Sequence, residues 1–166
     1  MVKRRAPGQD PTMRSIAARS TINAPLPRVW EVLRDLASYP AWSPFVVAVD
    51  GSLVVGTSVV LHVAMTPGKP PLRQTERVSR FDPPGPDGAG AALSWGMVMG
   101  HPFLLRAERY QRLTALGPSE TLYETADDFE GLLVPLVFAL YGASIQRGFD
   151  ATAAALKARC EAAAGA

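Results

Sequence analysis

The sequence predicts an α+β domain in which an antiparallel sheet of about six or seven strands curves around one long C-terminal helix. Apolar residues recur at helical spacing over residues 136–164, in a stripe from Phe138 to Cys160, and this helix would be roughly 40 Å long. The segments before it alternate between polar and apolar residues and are separated by turns rich in Gly and Pro, which is typical of antiparallel strands. A sheet that holds one long helix tends to leave a cavity between them, so the pattern favours a container for a small apolar molecule.

The predicted elements follow one another without an internal repeat. A first strand is expected at 15–23, and Pro25 and Pro27 suit the first turn of a helix, where a missing N–H is tolerated. The prolines within 39–45 interrupt that helix, so a second short helix or turn is expected there. Further strands are predicted at 45–49, 57–65, 72–81, 91–99, 106–116 and 121–129.

Composition and charge narrow the class of protein. The chain has 166 residues, of which 48% are apolar, which fits a single domain with a sizeable core. The formal net charge is +2, and basic residues cluster only at 3–5. We therefore expect a flexible N-terminal tail (1–13), one domain (14–166) and no nucleic-acid partner. Without a signal peptide or a run of about 18 apolar residues, the expectation is a cytoplasmic monomer or homodimer with no integral membrane association.

The chain carries no motif for a metal ion or a cofactor, and none is expected. Its two histidines, His62 and His101, are far apart in sequence, and its single cysteine, Cys160, can form no internal disulfide. His62 lies on the predicted solvent face of its strand, and His101 lies at a predicted bend near the cavity rim. Cys160 falls on the apolar stripe of the last helix, where it is expected to be buried. Motifs of the P-loop, nucleophile-elbow and dinucleotide-turn types are absent.

Six segments carry a further signal through their order and spacing: residues 29–35 (VWEVLRD), 39–45 (YPAWSPF), 81–84 (FDPP), 93–95 (LSW), 129–136 (FEGLLVPL) and 149–157. Together they resemble the SRPBCC or START-like superfamily, in particular its polyketide cyclase/dehydrase-like branch, over about residues 14–163. The resemblance implies a helix-grip fold with two short helices after the first strand and a deep hydrophobic cavity. It implies no single activity, because the superfamily contains binders, lipid carriers, cyclases and cochaperone-like domains.

The resemblance also implies which side chains face the cavity. Similar proteins often carry a histidine at the positions of Glu108 and Thr125, and because this chain has neither, histidine chemistry is not expected. The expected ligand-binding residues lie at the entrance, on alternate strand positions and on the last helix: Trp42, Phe45, Leu61, Val63, Gln74, Glu76, Val78, Trp95, Met97, Arg106, Tyr123, Thr125, Phe129, Ile145 and Phe149.

The candidate catalytic residues are Glu108, Asp127 and Tyr110. The two acids lie on consecutive strands joined by a short turn, so same-face neighbours should be roughly 5 to 8 Å apart between Cβ atoms. An unpaired buried carboxylate is costly, so these acids and Glu76 should pair with a cation such as Arg106 or remain protonated. The alternatives are a structural ion-pair network, or a shift of one residue that turns these side chains to solvent.

Three functions are compatible with this pattern. The favoured one is binding of a hydrophobic small molecule, lipid-, polyketide- or aromatic-like, because it requires only the cavity. The alternative is a polyketide cyclase/aromatase-like enzyme that uses cavity carboxylates and tyrosines as acid and base. The third is a protein-interaction domain, for which the sequence shows no apolar surface patch.

Overall fold

A computed structural model describes residues 11–162 and confirms the predicted helix-grip fold. All seven strands belong to one antiparallel sheet with the order β1-β7-β6-β5-β4-β3-β2, curled around the last helix. The elements in chain order are β1 (Met13–Ile22), α1 (Leu26–Arg34), a 3-10 turn (Leu36–Ser38), α2 (Tyr39–Trp42), β2 (Val46–Asp50), β3 (Ser58–Val63), β4 (Leu72–Asp82), β5 (Gly90–Met99), β6 (Leu105–Gly117), β7 (Glu120–Glu130) and α3 (Val134–Ala162).

Helix α3 presents the predicted stripe to the sheet. It contains 29 residues and is therefore about 43 Å long. Ile145, Phe149, Leu156 and Cys160 are all buried along it. Its apolar contact with the concave face of the sheet forms the core, so burial of this stripe rather than intrinsic helix propensity fixes the position of the helix.

The turn from β7 into α3 is held against the β5–β6 loop. Gly131 has a φ of +128°, a conformation that L side chains rarely adopt, and a Cβ there would collide with the carbonyl of Leu104. The next two residues, Leu132 and Leu133, donate backbone hydrogen bonds to the carbonyls of Phe103 (3.0 Å) and Leu104 (2.9 Å). The beginning of α3 is therefore tied to the loop between β5 and β6.

Strand β6 differs from the sequence expectation by one residue. Leu105, Ala107 and Leu113 are buried on its concave side. Because successive side chains point to opposite faces, Arg106 and the other even-numbered residues of the first part of the strand point to the convex side. The apolar residues decide this choice, since turning them outward would expose all three.

The predicted tail and the last residues of the predicted helix fall mostly outside the described residues. Of the predicted tail (1–13), only residues 11–13 are described, and Met13 already pairs with Glu130 in the sheet. The predicted helix over 136–164 begins at Val134 and extends to Ala162, and residues 163 and 164 lie outside the described residues. His62 is on the convex side, where its Nε2 lies 2.7 Å from Asp50 Oδ2.

Candidate ligand-binding cavity

A cavity of about 290 Å³ opens between the concave face of the sheet and the first half of α3. This volume is near the lower end of the range for small-molecule sites. Its walls come from β3 to β7 and α3, and most of the lining side chains are aliphatic, aromatic or methionine. Such walls favour an apolar molecule because its surface leaves water on entry.

Gly148 sets the position of one wall. The ring of Phe45 lies against this glycine, and a Cβ at position 148 would overlap the ring. Phe45 also packs edge-on against Phe149, with ring centroids 6.1 Å apart. A residue with poor helix propensity is therefore required at this point of α3 because an aromatic side chain occupies the space of its side chain.

Arg109 brings a positive charge into this apolar wall. It is only 6% exposed, and its guanidinium carbon lies 4.4 Å from the centroid of the Phe149 ring, a favourable cation–π arrangement. None of the ion pairs within 4.0 Å that residues 11–162 form includes Arg109. Its Nε is shielded from solvent and has no protein acceptor. Arg109 is thus a buried donor with unused hydrogen-bonding capacity at the cavity wall.

Two carboxyl groups share the cavity with Arg109. Burial, reinforced by the charge of Asp127, raises the pKa of Glu76 to about 8, although Arg109 opposes the shift. Burial likewise raises the pKa of Asp127 to about 6, again against the effect of Arg109. Burial therefore favours the neutral, hydrogen-bond-donating form of both carboxyls, and the charge of Arg109 favours their ionised, accepting form.

Polar atoms without protein partners continue from the cavity into the sheet. Trp95 lies opposite Arg109, and Arg109 lies opposite Asp127, across three neighbouring strands. Two residues further along β6, on the same face, Gln111 lies opposite Thr125 on β7. Each of these five side chains has one solvent-shielded polar atom with no hydrogen-bond partner among the described residues. Such atoms are costly when unpaired, so this wall suits water or a polar ligand group.

Two buried tyrosines lie deeper on the concave side. The hydroxyl of Tyr123 donates to Oε1 of Gln111 at 3.0 Å, and the hydroxyl of Tyr39 donates to the carbonyl of Leu33 at 2.8 Å. Burial raises the pKa of both hydroxyls. Both tyrosines therefore remain neutral at physiological pH and serve as structural donors.

The structure brings many of the sequence-predicted residues to the cavity. The side chains that line it came from the entrance, from β3, β4, β5 and β7, and from α3: Phe45, Leu61, Val63, Gln74, Glu76, Met97, Asp127, Phe129, Ile145 and Phe149.

Other predicted ligand residues lie elsewhere. Val78, Trp95, Tyr123 and Thr125 are buried but do not line the cavity. Trp42 packs edge-on against Tyr39, with centroids 4.9 Å apart. Because neighbouring side chains fill the deeper part of the concave face, pointing inward is not sufficient to reach the open space.

Arg106, Glu108 and Tyr110 require a correction, because the structure places them on the convex side of β6. Arg106 forms an ion pair with Glu130. Glu108 accepts a hydrogen bond from the hydroxyl of Ser79, and Tyr110 is 43% exposed. They border a surface groove on the opposite side of the sheet from the cavity.

The cavity residue that sequence reasoning missed is Arg109. The orientation expected for this strand, with Arg106 and Glu108 toward the cavity, turned Arg109 to the outer side. The sequence indicates this position through the alternation of the strand, because Arg109 shares a face with the apolar residues Leu105, Ala107 and Leu113. Among residues 11–162, no group of three or more His, Cys, Asp or Glu side chains could hold a metal ion.

The sequence profile of the family described as polyketide cyclase / dehydrase and lipid transport matches residues 13–164. The chain belongs to this family. None of the curated proteins compared with the chain matches it. Membership places the protein in the START-like superfamily, whose fold was expected from the order of the motifs.

Solved structures of this superfamily share the fold at low sequence identity. The ZhuI aromatase/cyclase from Streptomyces sp. R1128 is 22% identical, with 90% of this chain and 94% of that chain covered and a TM-score of 0.69. Norcoclaurine synthase from Thalictrum flavum is 14% identical, with 92% and 96% covered and a TM-score of 0.61. A START superfamily protein from Mycobacterium smegmatis is 15% identical, with 90% and 98% covered and a TM-score of 0.57. At these identities the likeness concerns the fold alone.

Proposed function

We propose that this family member binds a hydrophobic small molecule, lipid-, polyketide- or aromatic-like, with an oxygen atom of that molecule facing Arg109. The observation that carries the proposal is a buried guanidinium, without an ion pair within 4.0 Å, in the wall of an otherwise apolar cavity. An unsatisfied buried donor costs about 1–3 kcal/mol. A ligand oxygen that accepts this hydrogen bond recovers that free energy, while the apolar body of the ligand is removed from water.

The three ionisable groups define the polar end of the ligand. Arg109 offers N–H donors, and the carboxyl groups of Glu76 and Asp127 accept hydrogen bonds when ionised and can donate one when protonated. Burial raises the pKa of both carboxyls, so the site does not favour a further charge. A neutral carbonyl, or a hydroxyl that both accepts and donates, therefore suits this end of the cavity.

The experiment is a calorimetric titration with two matched pairs of probes: 1-naphthol against naphthalene, and 2-decanone against decane. We expect saturable binding of the oxygenated members, with dissociation constants of about 1–100 μM. We expect binding about tenfold weaker for the hydrocarbons, because they leave the Arg109 donor unsatisfied. Saturable binding by none of the four probes would contradict the proposal, and equal binding within each pair would remove the role of Arg109.

A second candidate is a polyketide cyclase/aromatase-like activity. The observation that favours it is a pair of carboxyl groups, Glu76 and Asp127, that line one cavity and whose pKa values burial raises toward neutrality. Carboxyl groups with such raised pKa values can act as proton donor and proton acceptor near neutral pH. An aromatase/cyclase has the same fold, so the fold is compatible with this chemistry. The acid and base are then Glu76 and Asp127, and Glu108 and Tyr110 take no part.

The enzyme candidate is tested with Asp127→Asn on a substrate that carries several β-keto groups. If Asp127 transfers a proton, its amide should abolish turnover and leave substrate binding within about threefold. Glu108→Gln, on the convex face, is the matched control and should leave turnover unchanged. Loss of turnover in the control alone would exclude the assignment.

A further inference from the structure

The end of the domain where the cavity opens exposes large apolar side chains. Leu132, Leu136 and Leu140 are 63%, 55% and 63% exposed, and their spacing of four places them on one side of the β7–α3 turn and the first turns of α3. Phe103, on the adjacent β5–β6 loop, is 57% exposed. Because the Leu132 N–H donates to the Phe103 carbonyl at 3.0 Å, the loop and the turn present their apolar side chains side by side.

This apolar surface is continuous with the cavity. Met99 and Tyr141 are exposed at the surface and also line the cavity wall. We call the set Met99, Phe103, Leu132, Leu136, Leu140 and Tyr141 the apolar rim. A patch of exposed apolar residues at the opening of an apolar cavity marks a contact surface rather than random exposure.

The segments that frame the cavity opening carry positive charge, and acids such as Glu130 and Asp150 lie at their ends. The three segments that frame the cavity opening, residues 64–75, 97–107 and 131–149, contain no Asp or Glu, although the chain has 15 acidic residues. Their cations are Lys69, Arg73, Arg106 and Arg147. Arg106 is neutralised by Glu130, which leaves the other three to face solvent. A partner of this surface should therefore combine an apolar interior with negative charge.

We infer that the apolar rim docks on the surface of an anionic lipid bilayer, with the opening of the cavity toward the lipid. The exposed leucines and Phe103 can enter the acyl boundary, while nearby Lys and Arg contact the headgroups and strengthen binding by about fivefold each. A second copy of the chain is a poorer partner, because a symmetric contact would bring like charges together. Within residues 11–162 no helix is long and apolar enough to cross a membrane, so this contact is peripheral. The inference goes beyond the proposed function, because binding of a soluble ligand can succeed where docking fails.

The test is flotation of the full chain with vesicles of phosphatidylcholine alone and with 40% phosphatidylglycerol. We expect binding to the anionic vesicles to be at least tenfold stronger than to the neutral ones. The double variant Leu136→Glu/Leu140→Glu should weaken it at least tenfold. The triple variant Lys69→Gln/Arg73→Gln/Arg147→Gln should weaken it about a hundredfold, at about fivefold for each charge.

The matched control is Val54→Glu/Val55→Glu. These valines are as exposed as the leucines, at 56% and 57%, but they belong to the β2–β3 turn and do not line the cavity. This variant should float like the unmodified protein, apart from a modest general effect of its added charge. Failure of the unmodified protein to float with anionic vesicles would overturn the inference, as would equal loss in both double variants. A dimer in sedimentation that Leu136→Glu/Leu140→Glu dissociates would assign the rim to a second copy instead.

Titration with 1-naphthol separates the two proposals. The Leu136→Glu/Leu140→Glu variant should keep its affinity for this soluble probe, because neither leucine lines the cavity. Docking that fails while naphthol still binds would exclude the membrane inference alone. Docking that succeeds without naphthol binding would exclude the proposed function alone.

Discussion

Arg109 on β6 lies directly opposite Asp127 on β7, yet the two side chains form no ion pair within 4.0 Å. Nε of Arg109 and Oδ1 of Asp127 are both shielded from solvent and have no protein partner. Opposite charges on facing strand positions would ordinarily close on each other, since pairing offsets the cost of burial. Their separation leaves a position for a third polar group, which the proposed ligand would supply.

The first prediction concerns Arg109 itself. Arg109→Gln should weaken binding of 1-naphthol by about 10- to 100-fold, because a hydrogen bond from a charged donor contributes about 1.5–3 kcal/mol. Calorimetry measures the change. The control is Arg112→Gln on the convex side of the same strand, where Arg112 lies opposite Glu124. The affinity of this variant for 1-naphthol should be unchanged. Equal losses in the two variants would indicate a general effect of charge rather than a contact.

The second prediction concerns the pH dependence of stability. The pKa of Glu76 is raised to about 8 in the folded state from an ordinary value of 4.5, so its contribution to stability is complete below about pH 4.5. As the pH rises toward 8, the unfolded chain loses this proton first. The free energy of unfolding therefore falls, by at most about 1.4 kcal/mol per pH unit from this group.

Glu76→Gln removes that titration. Urea unfolding at pH 5, 6, 7 and 8 should show that the free energy of unfolding of the variant increases relative to that of the unmodified protein as the pH rises. Glu120→Gln, an exposed substitution at the first residue of β7, is the control. A constant difference between Glu76→Gln and the unmodified protein across this range would show that Glu76 is not buried as described.

The third prediction compares two glycines of α3. Gly148→Ala should destabilise the protein by about 1–3 kcal/mol, because the new Cβ overlaps the ring of Phe45. Gly142→Ala should cost less than Gly148→Ala, because its Cβ would lie 3.3 Å from the Phe138 side chain, a tight contact without overlap, and alanine favours the helix by up to about 1 kcal/mol. Thermal unfolding of the two variants measures the difference, and equal midpoints would contradict the packing of Phe45.

The fourth prediction concerns the buried stripe of α3. Leu156→Asp should lower the free energy of unfolding by several kcal/mol, since the carboxylate enters an apolar contact away from the cavity and from Arg109. Ala154→Asp, two residues away on the exposed side, should change it by less than about 1 kcal/mol. Unfolding curves that coincide for the two variants would place the stripe in solvent.

The sequence predicts most of the fold because strong periodic patterns determine it. Alternation over β3 and β5, and the stripe ending at Cys160, leave one arrangement that buries their apolar faces. The β6 orientation was predicted incorrectly because the concave face contains Arg109 and Gln111, which interrupt the apolar alternation in the middle of the strand. Two polar residues in the middle of the apolar face make the two possible orientations of a strand hard to distinguish from its sequence.

The candidate site was therefore only partly predictable. Glu76 and Asp127 line the cavity, because the flanking residues on their strands have a clear phase. Glu108 was expected to face Asp127 across the sheet, but Arg109 lies opposite Asp127 instead. The site therefore contains a positive charge beside the acids, rather than acids alone. The apolar rim was missed because its residues come from two segments, 99–103 and 132–141, that only the folded chain brings together.

The most direct test of the central claim is a comparison of Met97→Trp with Val98→Trp. These neighbours on β5 point to opposite sides of the sheet, and Met97 lines the cavity while Val98 is exposed on the convex groove. If the cavity holds the ligand, calorimetry with 1-naphthol should show binding abolished by Met97→Trp, because the indole fills the space, and unchanged by Val98→Trp. Naphthol binding that survives Met97→Trp, or that is lost only in Val98→Trp, would contradict the account.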